Sequence, residues 1–177
     1  MPIQGFILYI RLSFILVLML GLSACSGNYE GNDFIFSAPA GFTIKSYEKP
    51  AIDSLYNGEL LLFSNQGRLY FEILRQRIPP GSTLDAVFTS YLTRTRDVSS
   101  HYQLISQNTV QANGHTAIEY VHREFRGEPY VQLRELWIEN NGQVFTLVCS
   151  EPVVSTPGAV IPVSDVCIQL ATGFHFK

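Results

Sequence analysis

The stretch YQLISQNTVQANGHTAIEYVHREFRGEPYVQLRELWIENNGQVFTLVC, residues 102–149, decides the fold. Two Asn-Gly pairs, Asn113-Gly114 and Asn141-Gly142, punctuate runs rich in Val, Ile, Leu, Tyr and Thr. A two-residue hairpin turn needs positive φ at both central positions, and Asn-Gly accepts that at the lowest steric cost. Arg126-Gly127-Glu128-Pro129 supplies a further turn. The spacing predicts four strands: Tyr102–Gln111, Thr116–Arg126, Tyr130–Glu139 and Gln143–Cys149. Three successive tight turns make them antiparallel.

The alternation along these strands is incomplete, and that is informative. In Gln143–Cys149, Val144 and Val148 fall on one face while Phe145, Leu147 and Cys149 fall on the other. Leu69, Phe71 and Ile73 oppose Tyr70 and Leu74 in the same way. A sheet wetted on one side alternates apolar with polar. Both faces of this one are therefore expected to be covered.

Upstream, Asp33–Ser37 and Phe42–Lys45 read as short strands on either side of Ala38-Pro39-Ala40-Gly41, and Tyr47–Asn57 as a loop. Leu60–Ser64 and Leu69–Arg77 form a hairpin around Asn65-Gln66-Gly67. Pro79-Pro80-Gly81 stops the second strand, and Ser82 or Thr83 caps a helix over about 83–97. Leu84, Val87, Phe88, Tyr91, Leu92 and Thr95 make its apolar face. A second helix is expected over about 163–173, with Val163, Val166, Cys167, Leu170, Ala171 and Phe174 at helical spacing. Pro157 and Pro162 limit its start, and Gly173 sits near its end. The fold class is α+β: an α/β/α sandwich on a central antiparallel sheet, in a single domain over 33–177.

The N-terminus carries a different message. Leu12–Leu22 is an apolar run broken only by Ser13 and Gly21, and it closes on Leu22-Ser23-Ala24-Cys25. Small residues before a cut suit a signal peptidase. The four residues resemble the lipobox of bacterial lipoproteins, in which the cysteine is acylated and becomes the first residue. On that reading 1–24 is a signal peptide and Cys25 is the lipidation site. Residues 25–32 then form a lipidated polar tether to a membrane on the extracytoplasmic side of the cell envelope. Ser26 is not the Asp that retains enteric lipoproteins at the inner membrane, so the outer one is favoured where the source has two. The alternative is an uncleaved span from Phe6 to Ala24, just long enough to cross but burdened by Arg11.

With Cys25 acylated, Cys149 and Cys167 remain. An even pair in an exported domain favours a disulfide, worth about 3 kcal/mol in the chain-entropy model; two buried free thiols are the alternative. The whole chain has 12 Lys and Arg against 15 Asp and Glu. This mild acidity, with scattered cations, gives no reason to expect a nucleic-acid partner.

The chain resembles the PsbP/DcrB-like sandwich proteins, which include the extrinsic P subunit of photosystem II and many bacterial lipoproteins. The resemblance rests on Phe34-x-x-x-x-Pro39-x-Gly41-Phe42, the Ser82–Asp97 helix, the Tyr102–Cys149 meander with Asn113-Gly114, and the closing helix to Phe174. It spans nearly the whole mature chain. It implies an α/β/α sandwich and a noncatalytic accessory or assembly role beside a membrane complex. The basic residues and bound metal of the photosynthetic members are not carried over, because this domain is acidic and lacks a lysine-rich arm.

Residue patterns that carry chemistry are few. The four histidines, His101, His115, His122 and His175, belong to no metal-ligand motif. His115 and His122 are seven apart on one strand and so point to opposite faces. His122 and Glu124 share a face and supply two ligands at most, with any third coming from elsewhere. There is no Gly-x-Ser-x-Gly elbow and no phosphate loop. Glu119, Glu124, Glu135 and Glu139, with Arg123, Arg126 and Arg134, read as cross-strand ion pairs on a partly wet face. Tyr120, His122, Tyr130 and Trp137 read mostly as core, or else as an aromatic patch for a partner. No catalytic, cofactor-binding or metal residue is assigned, and the chain is not expected to be an enzyme. The function this supports is an accessory or assembly factor working through an unidentified protein partner. A small-ligand or metal-binding periplasmic module is the alternative.

Overall fold

A computed structural model describes residues 27–39, 42–49, 58–65, 69–98, 102–124, 130–153 and 164–177. Its elements are β1 (Asn28–Glu30), β2 (Phe34–Ser37), β3 (Thr43–Lys49), β4 (Gly58–Asn65), β5 (Leu69–Arg77), α1 (Leu84–Val98), β6 (Gln103–Ala112), β7 (His115–Glu124), β8 (Tyr130–Asn140), β9 (Gln143–Val153), α2 (Asp165–Thr172) and β10 (Phe174–Phe176). The expected α+β sandwich is present. Asn113 and Asn141 have φ of 53° and 52°, and Gly114 and Gly142 follow at 82° and 73°. Both Asn-Gly turns thus adopt the left-handed backbone that their sequence requires. The Arg126–Pro129 turn, the Pro157–Val163 approach to α2, His101 and the first 26 residues, including Cys25, lie outside the described residues.

Seven strands make one antiparallel sheet in the order β3-β4-β5-β9-β8-β7-β6. The upstream hairpin joins the meander through its last strand, β9, with Phe71 opposite Cys149 and Ile73 opposite Leu147. Strand β9 is longer than its sequence suggested. Beyond Cys149 it continues to Val153 because Tyr130, Val131 and Gln132 of β8 pair with Val153, Pro152 and Glu151. Strand β3 likewise extends to Lys49, into the segment read as a loop, by pairing with β4.

Both faces of the sheet are covered. On one, Phe88 of α1 packs with Ile118, Tyr120, Trp137 and Val144, and Leu84, Val87, Tyr91 and Leu92 close the helix side. The Thr83 hydroxyl accepts from the Ala86 amide at 3.2 Å, which caps α1 one residue before Leu84. On the other face lie Phe71, Ile73, Ala117, Leu136, Ile138, Phe145 and Leu147, covered by Phe34, Phe36, Leu170 and Phe174.

That second cover is not a helix alone. A three-stranded sheet, β1-β2-β10, shares the layer with α2. The strands flanking the Pro39 turn, β2 and β3, therefore belong to different sheets. Residues 28–30, read as tether, pair with β2, and Phe174, read as the end of a helix, begins a strand. Phe34, Phe36 and Phe174 alternate inward at period two and are each at most 1% exposed. Their rings meet those of Phe71, Phe145 and Phe176 at 4.9–5.9 Å between centroids. Such pairs add about 0.5–1.5 kcal/mol each beyond area burial. Cys149 and Cys167 are bonded across 18 residues, tying α2 to β9.

Gly173 is the joint of the layer. It ends α2, and its carbonyl accepts from the Ser37 amide at 2.9 Å. A Cβ at this position would run into the Ser37 backbone carbonyl, which cannot move aside without breaking the β2–β10 pairing. Gly173→Ala is expected to cost about 1–3 kcal/mol in urea unfolding, as overpacking does. Wild-type stability in that variant would contradict the close approach.

Candidate functional site

The most polar part of the buried structure lies under α1, where β7 and β8 cross its middle. Residues paired across an antiparallel ladder share a face. Ile118 pairs with Trp137, Tyr120 with Glu135, His122 with Leu133 and Glu124 with Val131. This register sends Tyr120, His122, Glu124, Glu135 and Trp137 toward the helix, and α1 brings Tyr91 down onto them.

Glu135 is the centre and is 2% exposed. Its Oε1 accepts from Tyr91 Oη at 2.8 Å and pairs with His122 Nε2 at 3.1 Å. Its Oε2 accepts from Trp137 Nε1 at 2.8 Å. Three donors from a helix and two strands therefore converge on one carboxylate, an arrangement that suits a buried acceptor-only group. His122 is 0% exposed. Its ring lies against Tyr120 at 4.7 Å and Tyr102 at 5.3 Å between centroids. With Nε2 directed to Glu135, Nδ1 faces Glu124 Oε1 at 3.6 Å without a hydrogen bond. Tyr120 Oη is likewise buried without a hydrogen-bond partner.

The imidazole thus stands between two carboxylates, each facing a different ring nitrogen. Glu135 is the third group that His122 and Glu124 lacked in the sequence. The three do not close on a common point as ligands of one ion must. Among the described residues, Cys149, Glu151 and Cys167 have ligand atoms within 4.8 Å of one another. Both of those sulfurs are committed to the disulfide.

The other singled-out residues separate by face. Arg134 donates through Nε to Glu119 Oε1 at 2.8 Å, the cross-strand pair expected. The wet-face reading fails for Arg123, Glu124 and Glu135, which are 3%, 8% and 2% exposed. The layers packed on both sides of the sheet desolvate them. Arg123 points away from α1 and donates to Gln132 Oε1 at 3.3 Å. His115 packs against Phe176 at 4.7 Å, on the opposite face from His122, as the strand parity required. Glu139 and His175 are exposed, and Tyr130 is half-buried. Trp137 and Tyr120 are core, meeting Phe88 at 5.3 Å each. Sequence reasoning missed Tyr91 as a polar contributor. The signal for Glu135 was available, because it shares strand parity with Trp137 and Leu133.

No family model matches the chain, and no curated protein matches it in sequence. Solved structures do. The solution structure of cyanobacterial PsbP (CyanoP) from Synechocystis sp. PCC 6803 matches with a TM-score of 0.63 at 14% identity, over 89% of this chain and 96% of that one. The chain has the PsbP fold. Two looser likenesses are to the Ran-binding protein Mog1p of Saccharomyces cerevisiae and to LpqN of Mycobacterium tuberculosis. Mog1p gives a TM-score of 0.47 at 11% identity, over 73% of this chain and 79% of that one. LpqN, involved in cell envelope biogenesis, gives 0.41 at 10%, over 88% of this chain and 87% of that one. Identities this low speak to the fold alone.

Removing the Glu135 carboxylate strands three donors, of which His122 and Trp137 are fully buried. Glu135→Ala is expected to cost roughly 3–5 kcal/mol, whereas Tyr91→Phe, which removes one donor to a charged group, should cost about 1.5–3 kcal/mol. Urea denaturation of both variants checks this, and a smaller loss in Glu135→Ala than in Tyr91→Phe would contradict the convergence.

Proposed function

We propose that this chain is a lipid-anchored, noncatalytic protein of the cell envelope that serves as an accessory or assembly factor through contact with another protein. The observation that carries it is Leu22-Ser23-Ala24-Cys25 directly after an apolar run. Acyl chains on Cys25 hold the domain to the extracytoplasmic face of a membrane, the outer one in a two-membrane source. Two or more such chains anchor far more firmly than one. Among the described residues no helix is long and apolar enough to cross a membrane. The PsbP fold is compatible with this role.

The polar cluster supports the noncatalytic half of the reading. Its carboxylate is used by donors of the protein itself, and α1 lies over it. A catalytic acid–base pair needs a group free to meet a substrate. What the cluster does is fasten α1 to the sheet and hold the surface that α1 presents.

Growth of the producing cells with labelled palmitate is expected to label the protein, and Cys25→Ser to abolish both label and membrane association. Affinity capture from solubilised envelope should recover one partner in stoichiometric amount. An unlabelled, soluble chain that still begins at Met1 overturns the anchoring, and capture that yields no stoichiometric partner overturns the accessory role.

A further inference from the structure

From the position of the anchor relative to the layers, we infer that the three-stranded sheet and α2 lie directly on the bilayer, with α1 turned away from it. This rests on the reading of Cys25 as the acylated residue. The sequence suggested a polar tether through residue 32, which would let the domain stand clear of the lipid. The structure shortens it. The Gly27 carbonyl accepts from the Ala38 amide at 2.9 Å, and Asn28 pairs with Ser37. In sequence, only Ser26 separates Cys25 from Gly27, the first of the described residues. At about 3.5 Å per residue, two steps of chain reach roughly 7 Å. The edge of the small sheet is therefore held against the membrane surface by its own covalent lipid.

Three exposed aliphatic side chains fall on the same layer. Among the residues whose side-chain burial is described, four large hydrophobic ones are exposed: Ile35 at 38%, Val166 at 36%, Ile168 at 45% and Leu104 at 44%. Ile35 is on the outward side of β2, between the inward Phe34 and Phe36. Val166 and Ile168 flank the buried Cys167 on α2. Only Leu104 is elsewhere, on the far edge strand of the large sheet, opposite His122. Glu30, also on the outward side of the small sheet, is matched by Lys177 Nζ at 3.0 Å. A tethered face with aliphatic side chains gains by meeting the acyl boundary. Packed layers are spaced roughly 10 Å apart, so α1 and the Glu135 cluster beneath it stand well clear of the lipid.

The test uses the full acylated protein in phosphatidylcholine vesicles, with an environment-sensitive fluorophore at Ile35→Cys, Ile168→Cys, Leu104→Cys or Thr89→Cys, one site at a time. Intact mass first establishes the acyl chains on Cys25. Emission at 35 and 168 is expected to shift to the blue and to resist an aqueous quencher, while 104 and the α1 position 89 remain quenched. A long Gly-Ser insert after Ser26 should abolish the protection at 35 and 168 without loss of vesicle binding. Acylated protein with all four positions equally quenched overturns the seating and leaves the anchor intact. An absence of acyl chains overturns both.

Discussion

Every side chain from Val144 to Ser150 is buried, so strand β9 cannot exist at a wet surface. Its residues alternate between two faces, and each face therefore demands a cover of its own. That demand organises the molecule. The meander and the upstream hairpin both pair to β9, α1 closes one side, and the small sheet with α2 closes the other. The two covers differ in chemistry. Under one, phenylalanine rings meet mostly edge-on or tilted; under the other, Phe88 and Tyr91 of α1 meet Tyr120, Trp137 and a carboxylate.

The buried carboxylate follows from the same constraint. Once register puts Glu135 opposite Tyr120, its charge faces α1 and cannot reach bulk water. An uncompensated charge there would cost several kcal/mol, and the donors from Tyr91, His122 and Trp137 offset that cost. The cluster also gives direction to an otherwise greasy contact. An apolar helix can slide on an apolar sheet, but Tyr91 meets Glu135 at one helical register only. This is specificity of packing rather than catalysis.

Much of the fold was legible because local chemistry and tertiary demand agree. Asn-Gly at 113 and 141 fixed two hairpins, the Leu84–Leu92 spacing gave α1, and the two-sided apolar run of β9 told of two covers. Of the small sheet only β2 was legible, as Asp33–Ser37; its two partner strands were not, for a physical reason. Strands of three residues are too short to show a period, and Phe174 fits a helical stripe as readily as a strand. Gly173 decides between them, by allowing the close approach to Ser37. At the site, His122 and Glu124 were visible as a pair on one face. Their third companion was hidden by reading Glu135 as a surface ion pair, since charge type alone does not reveal burial under a helix. Tyr91 was hidden because a tyrosine on an apolar stripe looks like core.

A doubly covered β9 sustains the whole domain, and native-state hydrogen exchange reads this strand by strand. The amides of Leu133–Ile138 and Val144–Cys149 are expected to exchange slowest, through global unfolding alone, while those of the edge strand β6 exchange by local opening. Exchange of the β9 amides as fast as those of β6 would contradict it.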